Sequence, residues 1–276
     1  GATPGSSEQR SSPRRRRVLT PFGLNGRFVC TFIIAWQAFA DTPVVVAANR
    51  DEAYDRPAEP PSMRDGEPAV LAPRDAEAGG TWIGVNEHGV LAALTNRWVD
   101  ADLAGERSRG LLVGDVLQER TAEDAGRRIE RAVQDDEYEG FNLVVADANA
   151  ALYFEWDGAL EFTQFDPGVH VVVNVGADGR YVIPSFRQGV AEAQAERADQ
   201  LRADLEPDPG ETATAWHDRA AAAIADHEYG VCVHGDGFGT RSSSLIAVGR
   251  EGISYRFAAG PPCETEYRDV SPEGQV

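Results

Sequence analysis

From Cys30 onward the chain is a series of short, β-rich apolar runs, gathered in groups that two helical blocks separate. Residues 31–36 and 44–48 are the first two runs, with Ala40-Asp41-Thr42-Pro43 as the turn between them. Residues 81–85 and 90–95 flank Asn86-Glu87-His88-Gly89, a hairpin signal. Residues 141–146, 151–156, 160–165 and 169–173 follow in close succession, with Asp157-Gly158 as a second hairpin turn. Residues 230–233, 243–248 and 253–257 read as the last strands, the final two joined at Arg250-Glu251-Gly252.

The first helical block runs from Ser108 to about Val133. Ser108 is a candidate cap, and Leu111, Leu112, Val116 and Leu117 share one face. Thr121-Ala122-Glu123-Asp124 resembles a capping box and restarts the helix. The second block runs from Ser185, another candidate cap, through Leu205, breaks at Pro207 and Pro209, and resumes from about Thr214 to Ala225. Strands, helix pair, strands, helix pair, strands, joined mostly by short turns, predict an α+β fold. The expected form is a four-layer α/β/β/α sandwich of two antiparallel sheets between helix pairs.

Residues 1–29 stand outside this pattern. They hold six of the 26 basic residues and one acid, and residues 1–17 have no periodicity. The run Arg14–Arg17 precedes a segment too polar and broken for a twin-arginine export signal. We expect a disordered or non-native extension over 1–29, one domain over 30–262, and a polar tail over 263–276. No run approaches the ~20 apolar residues of a membrane span, and the expected location is cytoplasmic.

All 26 bases are Arg, against 45 acids; residues 30–276 carry 44 acids and 20 Arg, a net of −24. Such a surface repels nucleic acid and anionic membranes. It also suits a salt-loaded cytoplasm, where the Debye length falls to ~3 Å at molar salt.

The common catalytic signatures are absent: no Gly-x-Ser-x-Gly elbow, no phosphate-binding loop, no His-Glu-x-x-His. The five His lack ligand-like spacing, and Cys232-Val233-His234 reads as a core cysteine beside a surface histidine. Cys263 is assigned no role. Gly235-Asp236-Gly237-Phe238-Gly239 follows no strand-to-helix unit, which argues against a dinucleotide site. What remains is a set of polar residues where apolar strands end: Asn49-Arg50-Asp51-Glu52, Asn96, Asn174 and Arg241, with Cys30 opening the first strand.

Val46-Ala47-Ala48-Asn49-Arg50-Asp51-Glu52, followed by Arg56-Pro57, strongly resembles the signature of the NRDE family, whose eukaryotic members are the transport and Golgi organisation protein 2 family. The likeness continues through Gly79-Gly80-Thr81-Trp82-Ile83-Gly84, Leu91-Ala92-Ala93-Leu94-Thr95-Asn96, Gly140-Phe141-Asn142-Leu143 and Tyr229-Gly230-Val231-Cys232-Val233 to Gly239-Thr240-Arg241. It implies an N-terminal-nucleophile (Ntn) hydrolase-like fold.

The family typically begins Met-Cys, and Cys30 takes that cysteine's place behind Val29. Either Val29 is an alternative initiator or a propeptide is removed. An N-terminal Cys offers a thiol of ordinary pKa ~8.5 beside an amine of ~7.7–8.0, so nucleophile and base sit on one residue.

The layout is also similar to cysteine Ntn hydrolases such as choloylglycine hydrolases and penicillin V acylases. The resemblance implies cleavage of a non-peptide linear amide, with Cys30 as nucleophile and Arg50 and Asp51 beside it. Asn174 would be an oxyanion donor, Asn96 would contribute through its side chain or backbone, and Arg241 would orient the site. Glu52 and Asn49 read as structural, Trp82 as core or pocket wall. The alternative is a non-enzymatic carrier of haem or lipid-related ligands. The hydrolase needs a small-molecule substrate and no cofactor or metal; haem belongs to the carrier alone.

Overall fold

A computed structural model describes residues 30–270. The expected extension over 1–29 therefore lies outside the described residues, as do residues 271–276 of the expected tail. In chain order the strands and helices are β1 (Thr31–Trp36), β2 (Val44–Ala53), β3 (Ala58–Arg64), β4 (Val70–Asp75), β5 (Ile83–Asn86), β6 (Leu91–Asn96), α1 (Arg109–Val116), α2 (Ala122–Asp135), β7 (Phe141–Ala146), β8 (Ala151–Trp156), β9 (Leu160–Gln164), β10 (Gly168–Val173), β11 (Gly176–Ala177), β12 (Arg180–Tyr181), α3 (Gln188–Asp204), α4 (Ala213–Ala225), β13 (Phe238–Gly249), β14 (Gly252–Ala258) and β15 (Arg268–Asp269). One sheet has the order β12-β11-β10-β1-β2-β13-β14-β15, the other β3-β4-β5-β6-β7-β8-β9, and every pairing is antiparallel.

Alternation along the strands builds the layers. Phe32, Ile34 and Trp36 of β1 and Val44 and Val46 of β2 meet Val85, Leu91, Val144 and Tyr153 of the other sheet. Ile33, Ala35, Val45 and Ala47 point the other way, onto Ala198, Leu201, Trp216 and Ala220 of α3 and α4. On the far side, Leu143 and Val145 pack on Leu112, Val116 and Ile129 of α1 and α2. Three apolar layers between four layers of structure make the α/β/β/α sandwich that the sequence predicts.

Local chemistry sets the boundaries. Thr121 caps α2, its Oγ1 accepting from Asp124 N at 3.0 Å, and acids Glu123 and Asp124 sit in the first turn. Ser108 and Ser185, also expected as caps, make no side-chain cap bond; Ser185 opens a 3₁₀ turn and its hydroxyl goes to Asp100.

Three further expectations are corrected. Residues 230–233 are not a strand. Gly230 ends a turn at φ +64°, and the Val231 carbonyl accepts from the Asn49 side chain at 2.8 Å instead of from a strand partner. The tetrapeptide Asn49-Arg50-Asp51-Glu52 does not end a strand; β2 runs on to Ala53, flanked by β1 and β13. Residues 263–270, read as part of a polar tail, add β15 to the sheet edge. Among the described residues no helix is long and apolar enough to cross a membrane.

Candidate functional site

Cys30 immediately precedes β1, whose register with β2 (Thr31 opposite Asn49) brings it alongside Arg50. The Cys30 thiol lies 3.8 Å from the Asp51 carbonyl oxygen. Strand alternation places Arg50 and Glu52 on the inter-sheet face with Ala48, and Asp51 on the opposite face with Asn49. On β13 a bulge at Arg241 shifts the register so that Thr240 stands opposite Asp51, and the Thr240 hydroxyl donates to Asp51 Oδ1 at 2.6 Å.

A cavity of about 150 Å³ opens here, lined among others by Cys30, Arg50, Asp51, Trp82, Asn96 and Arg109. That volume is roughly five waters at ~30 Å³ each, room for the reacting fragment of a small molecule. Its walls come from both sheets and from the start of α1. Gly80 permits the close approach: a Cβ there would stand 2.2 Å from the Gly110 carbonyl carbon, and Thr81 N donates to Gly110 O at 3.0 Å.

The electrostatics centre on Arg50, which is 7% exposed. Its guanidinium lies 4.1 Å over the Trp82 ring, 3.2 Å from Glu52 and 3.6 Å from Asp75. Asp75 is shared with Arg56 at 2.7 Å. Arg50 Nη1 and Thr31 Oγ1 are buried and have no hydrogen-bond partner. Burial lowers the Arg50 pKa, the neighbouring carboxylates opposing it. Burial, then the Asp51 charge, push the Cys30 thiol up to about 12, and Arg50 only partly offsets them. The thiol is therefore neutral near pH 7.

The six expected site residues fall in three places. Cys30, Arg50, Asp51 and Asn96 line the one cavity. Asn174 is fully buried behind it, donating from Nδ2 to the Asn96 carbonyl at 2.7 Å and accepting from Gln194 at 2.9 Å. Arg241 lines a neighbouring cavity of about 110 Å³ that shares Arg50 and Trp82 with the first; its Nη2 donates to Arg56 O at 3.3 Å. Asn49 holds the Ile224 and Val231 carbonyls, a structural part.

Sequence reading missed three contributors. Asp75 sits in an acidic stretch that looks like any solvated turn. Arg109 opens α1, bonded to Gly140 O and Glu139. Thr240 lies beside Gly239 and Arg241 in a motif already noticed, and its place opposite Asp51 follows only from the bulge.

The family model for Transport and Golgi organisation 2 matches residues 29–258. The human transport and Golgi organization protein 2 homolog is 30% identical over 243 residues, spanning 76% of this chain and 83% of the relative. The Bos taurus homolog is 29% identical over 233 residues, with the same coverage. Among solved structures, the Caenorhabditis elegans ortholog of N-acylethanolamine-hydrolyzing acid amidase is similar at TM-score 0.49 and 13% identity, covering 79% of this chain and 92% of that one. A mutant conjugated bile acid hydrolase from Clostridium perfringens follows at TM-score 0.47 and 13% identity, covering 90% and 95%.

Proposed function

The chain belongs to the transport and Golgi organisation 2 family, and we propose that it is an N-terminal-cysteine hydrolase of small, linear, non-peptide amides, active when Cys30 is the first residue. The observation that carries this reading is Cys30 at the head of β1, in a cavity with a buried arginine whose Nη1 lacks a partner. A thiol held near pKa 12 is no nucleophile. Removing residues 1–29 supplies what is missing, an α-amine on the same residue as the thiol, whose Sγ lies 3.8 Å from the Asp51 carbonyl oxygen.

In this reading the amine takes the thiol proton and Asp51 holds the resulting ammonium. The thiolate sulfur bonds to the amide carbonyl carbon. The C–N bond then breaks, and the amine leaves with the proton from the ammonium. Water attacks the thioester, releasing the acid and restoring the thiol. Asn96 and Asn174 donate to the oxyanion, Asn174 through the Nδ2 hydrogen not given to the Asn96 carbonyl. Arg241 orients the substrate from the second cavity.

The test is the intact mass of the natively produced protein, then iodoacetamide labelling, turnover of a panel of N-acyl amides, and haem titration. We expect a chain that begins at Cys30, is labelled there, and cleaves at least one amide, with Cys30→Ala neither labelled nor active. An active native form that keeps residues 1–29, or full amide turnover by Cys30→Ala, refutes the mechanism. Stoichiometric haem uptake without turnover would make the cavity a carrier's pocket.

A further inference from the structure

His227, Cys232, His234 and Cys263 lie together at the edge of the sheet that carries Cys30, and the mechanism above uses none of them. They come from three places: the turn after α4, the segment leading into β13, and the turn after β14. One ligand atom from each lies within 4.8 Å of all the others. Cys232 Sγ is 3.5 Å from Cys263 Sγ and 3.8 Å from His234 Nε2, which is 3.1 Å from Cys263 Sγ. The rings of His227 and His234 are 5.2 Å apart, edge to face.

Zn–S bonds of ~2.3 Å and Zn–N bonds of ~2.0–2.1 Å in a tetrahedron put ligand atoms ~3.8 Å apart for two sulfurs and ~3.5 Å for sulfur and nitrogen. The three separations match those edges within a few tenths of an ångström. Convergence by chance is a poor explanation, because two of only three cysteines and two of five histidines meet at one point. Both thiols are free. The sequence reading of Cys232 as a core residue beside a surface His234 holds for burial, since Cys232 is buried and His234 exposed. It misses the two partners that the fold brings in from outside the tripeptide.

The geometry points to a Cys₂His₂ site for one zinc-like divalent cation, held by His227, Cys232, His234 and Cys263. All four positions are taken by protein, the mark of a structural metal with no open place for substrate. The ion would tie the 227–234 loop to the segment that leads into β15. That loop is already bonded to Thr240, with Val233 N donating to Thr240 Oγ1 at 2.9 Å and Thr240 N to Val233 O at 2.8 Å. Thr240 in turn donates to Asp51. The metal would therefore brace the strand segment that positions Asp51.

The full chain, produced with zinc in the medium, should carry about one zinc per molecule by elemental analysis. Cobalt loaded in its place should give the visible bands of a tetrahedral ion and a thiolate-to-cobalt band in the near ultraviolet. Changing an outer partner of a metal ligand commonly costs 10–100-fold in affinity, so losing a ligand in Cys263→Ser or His234→Ala should weaken binding by at least ~100-fold. Cys30→Ser, outside the cluster, should keep the full metal content and spectrum. A zinc-free protein with two reactive thiols at 232 and 263 overturns the assignment. So does a Cys232–Cys263 disulfide, seen as a 2 Da mass deficit, or cobalt spectra unchanged in Cys263→Ser.

Discussion

Arg50 on β2 and Arg97 just past β6 are buried to the same degree, each 7% exposed, and each meets carboxylates. Arg97 is held tightly: Nη1 donates to Glu155 at 2.7 Å and to Asn142 Oδ1 at 2.9 Å, although its Nε, like Arg50 Nη1, is buried without a partner. Asn142 Oδ1 also accepts from Tyr153, and its Nδ2 donates to Val173 O in the other sheet and to Thr95. Arg50 has longer contacts with Glu52 and Asp75, an aromatic ring beneath it, and a cavity alongside. The same residue type is a rivet in one place and an available cation in the other. A cluster that spends its hydrogen bonds internally stabilises the sandwich; one that keeps a donor in reserve beside a cavity can bind something else.

The sharpest way to break this contrast is the thiol on Arg50's side. A pKa pushed up to about 12 leaves on the order of a thousandfold less thiolate at pH 8 than an ordinary thiol of ~8.5 has. In a chain retaining residues 1–29, iodoacetamide labelling of Cys30 should be about 10³-fold slower at pH 8 than that of an exposed thiol. It should speed up tenfold per pH unit above that. A form beginning at Cys30 should label far faster at pH 8. Equal rates in the two forms would mean that the α-amine does nothing for the thiol.

Stability separates the two arginines next. Arg97→Ala strands Glu155, whose side chain is 12% exposed, so the cost should approach the about 3–5 kcal/mol of breaking a buried pair. Arg50→Ala should cost much less, because Asp75 keeps Arg56 at 2.7 Å. Chemical denaturation of both variants measures this. If Arg50→Ala is as damaging as Arg97→Ala, then Arg50 is structural and the cavity loses its cation.

Two buried asparagines repeat the contrast. Asn142 has all four of its side-chain hydrogen-bonding positions occupied, so Asn142→Ala should cost about 1–3 kcal/mol of stability and nothing specific in turnover. Asn174 keeps one Nδ2 hydrogen beyond its bond to Asn96. If it is an oxyanion donor, Asn174→Ala should lower kcat about 10²–10³-fold with KM little changed. A loss in stability alone would make it a second brace.

The sequence carried the layers better than the edges. β1, β2, β7 and β10 are apolar runs with both faces covered, so composition alone marks them. β3 reads Ala-Glu-Pro-Pro-Ser-Met-Arg and escaped notice because its two prolines are tolerable only at an edge, where the register to β4 also slips between Glu59 and Ser62. β11, β12 and β15 are two residues each, below any periodicity. At the site, Cys30, Arg50, Asp51 and Asn96 were legible because the strands that carry them are. Asp75 and Arg109 arrive from the last residue of β4 and a helix start, and only the packing of Gly80 on Gly110 brings them in. The Cys–His cluster was illegible for the same reason, since Cys263 lies 29 residues beyond His234.

The smallest expected effect sharpens the contrast from outside. The net charge of −24 over residues 30–276 rests mostly on exposed acids, and exposed pairs are worth only about 0–1 kcal/mol each. Their mutual repulsion is what salt can screen, the Debye length shrinking from ~10 Å at 0.1 M to ~3 Å at 1 M. Melting temperature should therefore climb with KCl. Arg97 is buried and Glu155 is half-buried beside it, so the pair is screened far less and the stability lost in Arg97→Ala should stay constant across the same series. Parallel lines of wild type and Arg97→Ala against KCl are the expected result. Converging lines would mean that water and ions reach Arg97, and that it differs from Arg50 only in degree. A flat wild-type line would mean that the surface acids are already balanced by their arginines, and that the acidity is no adaptation to salt.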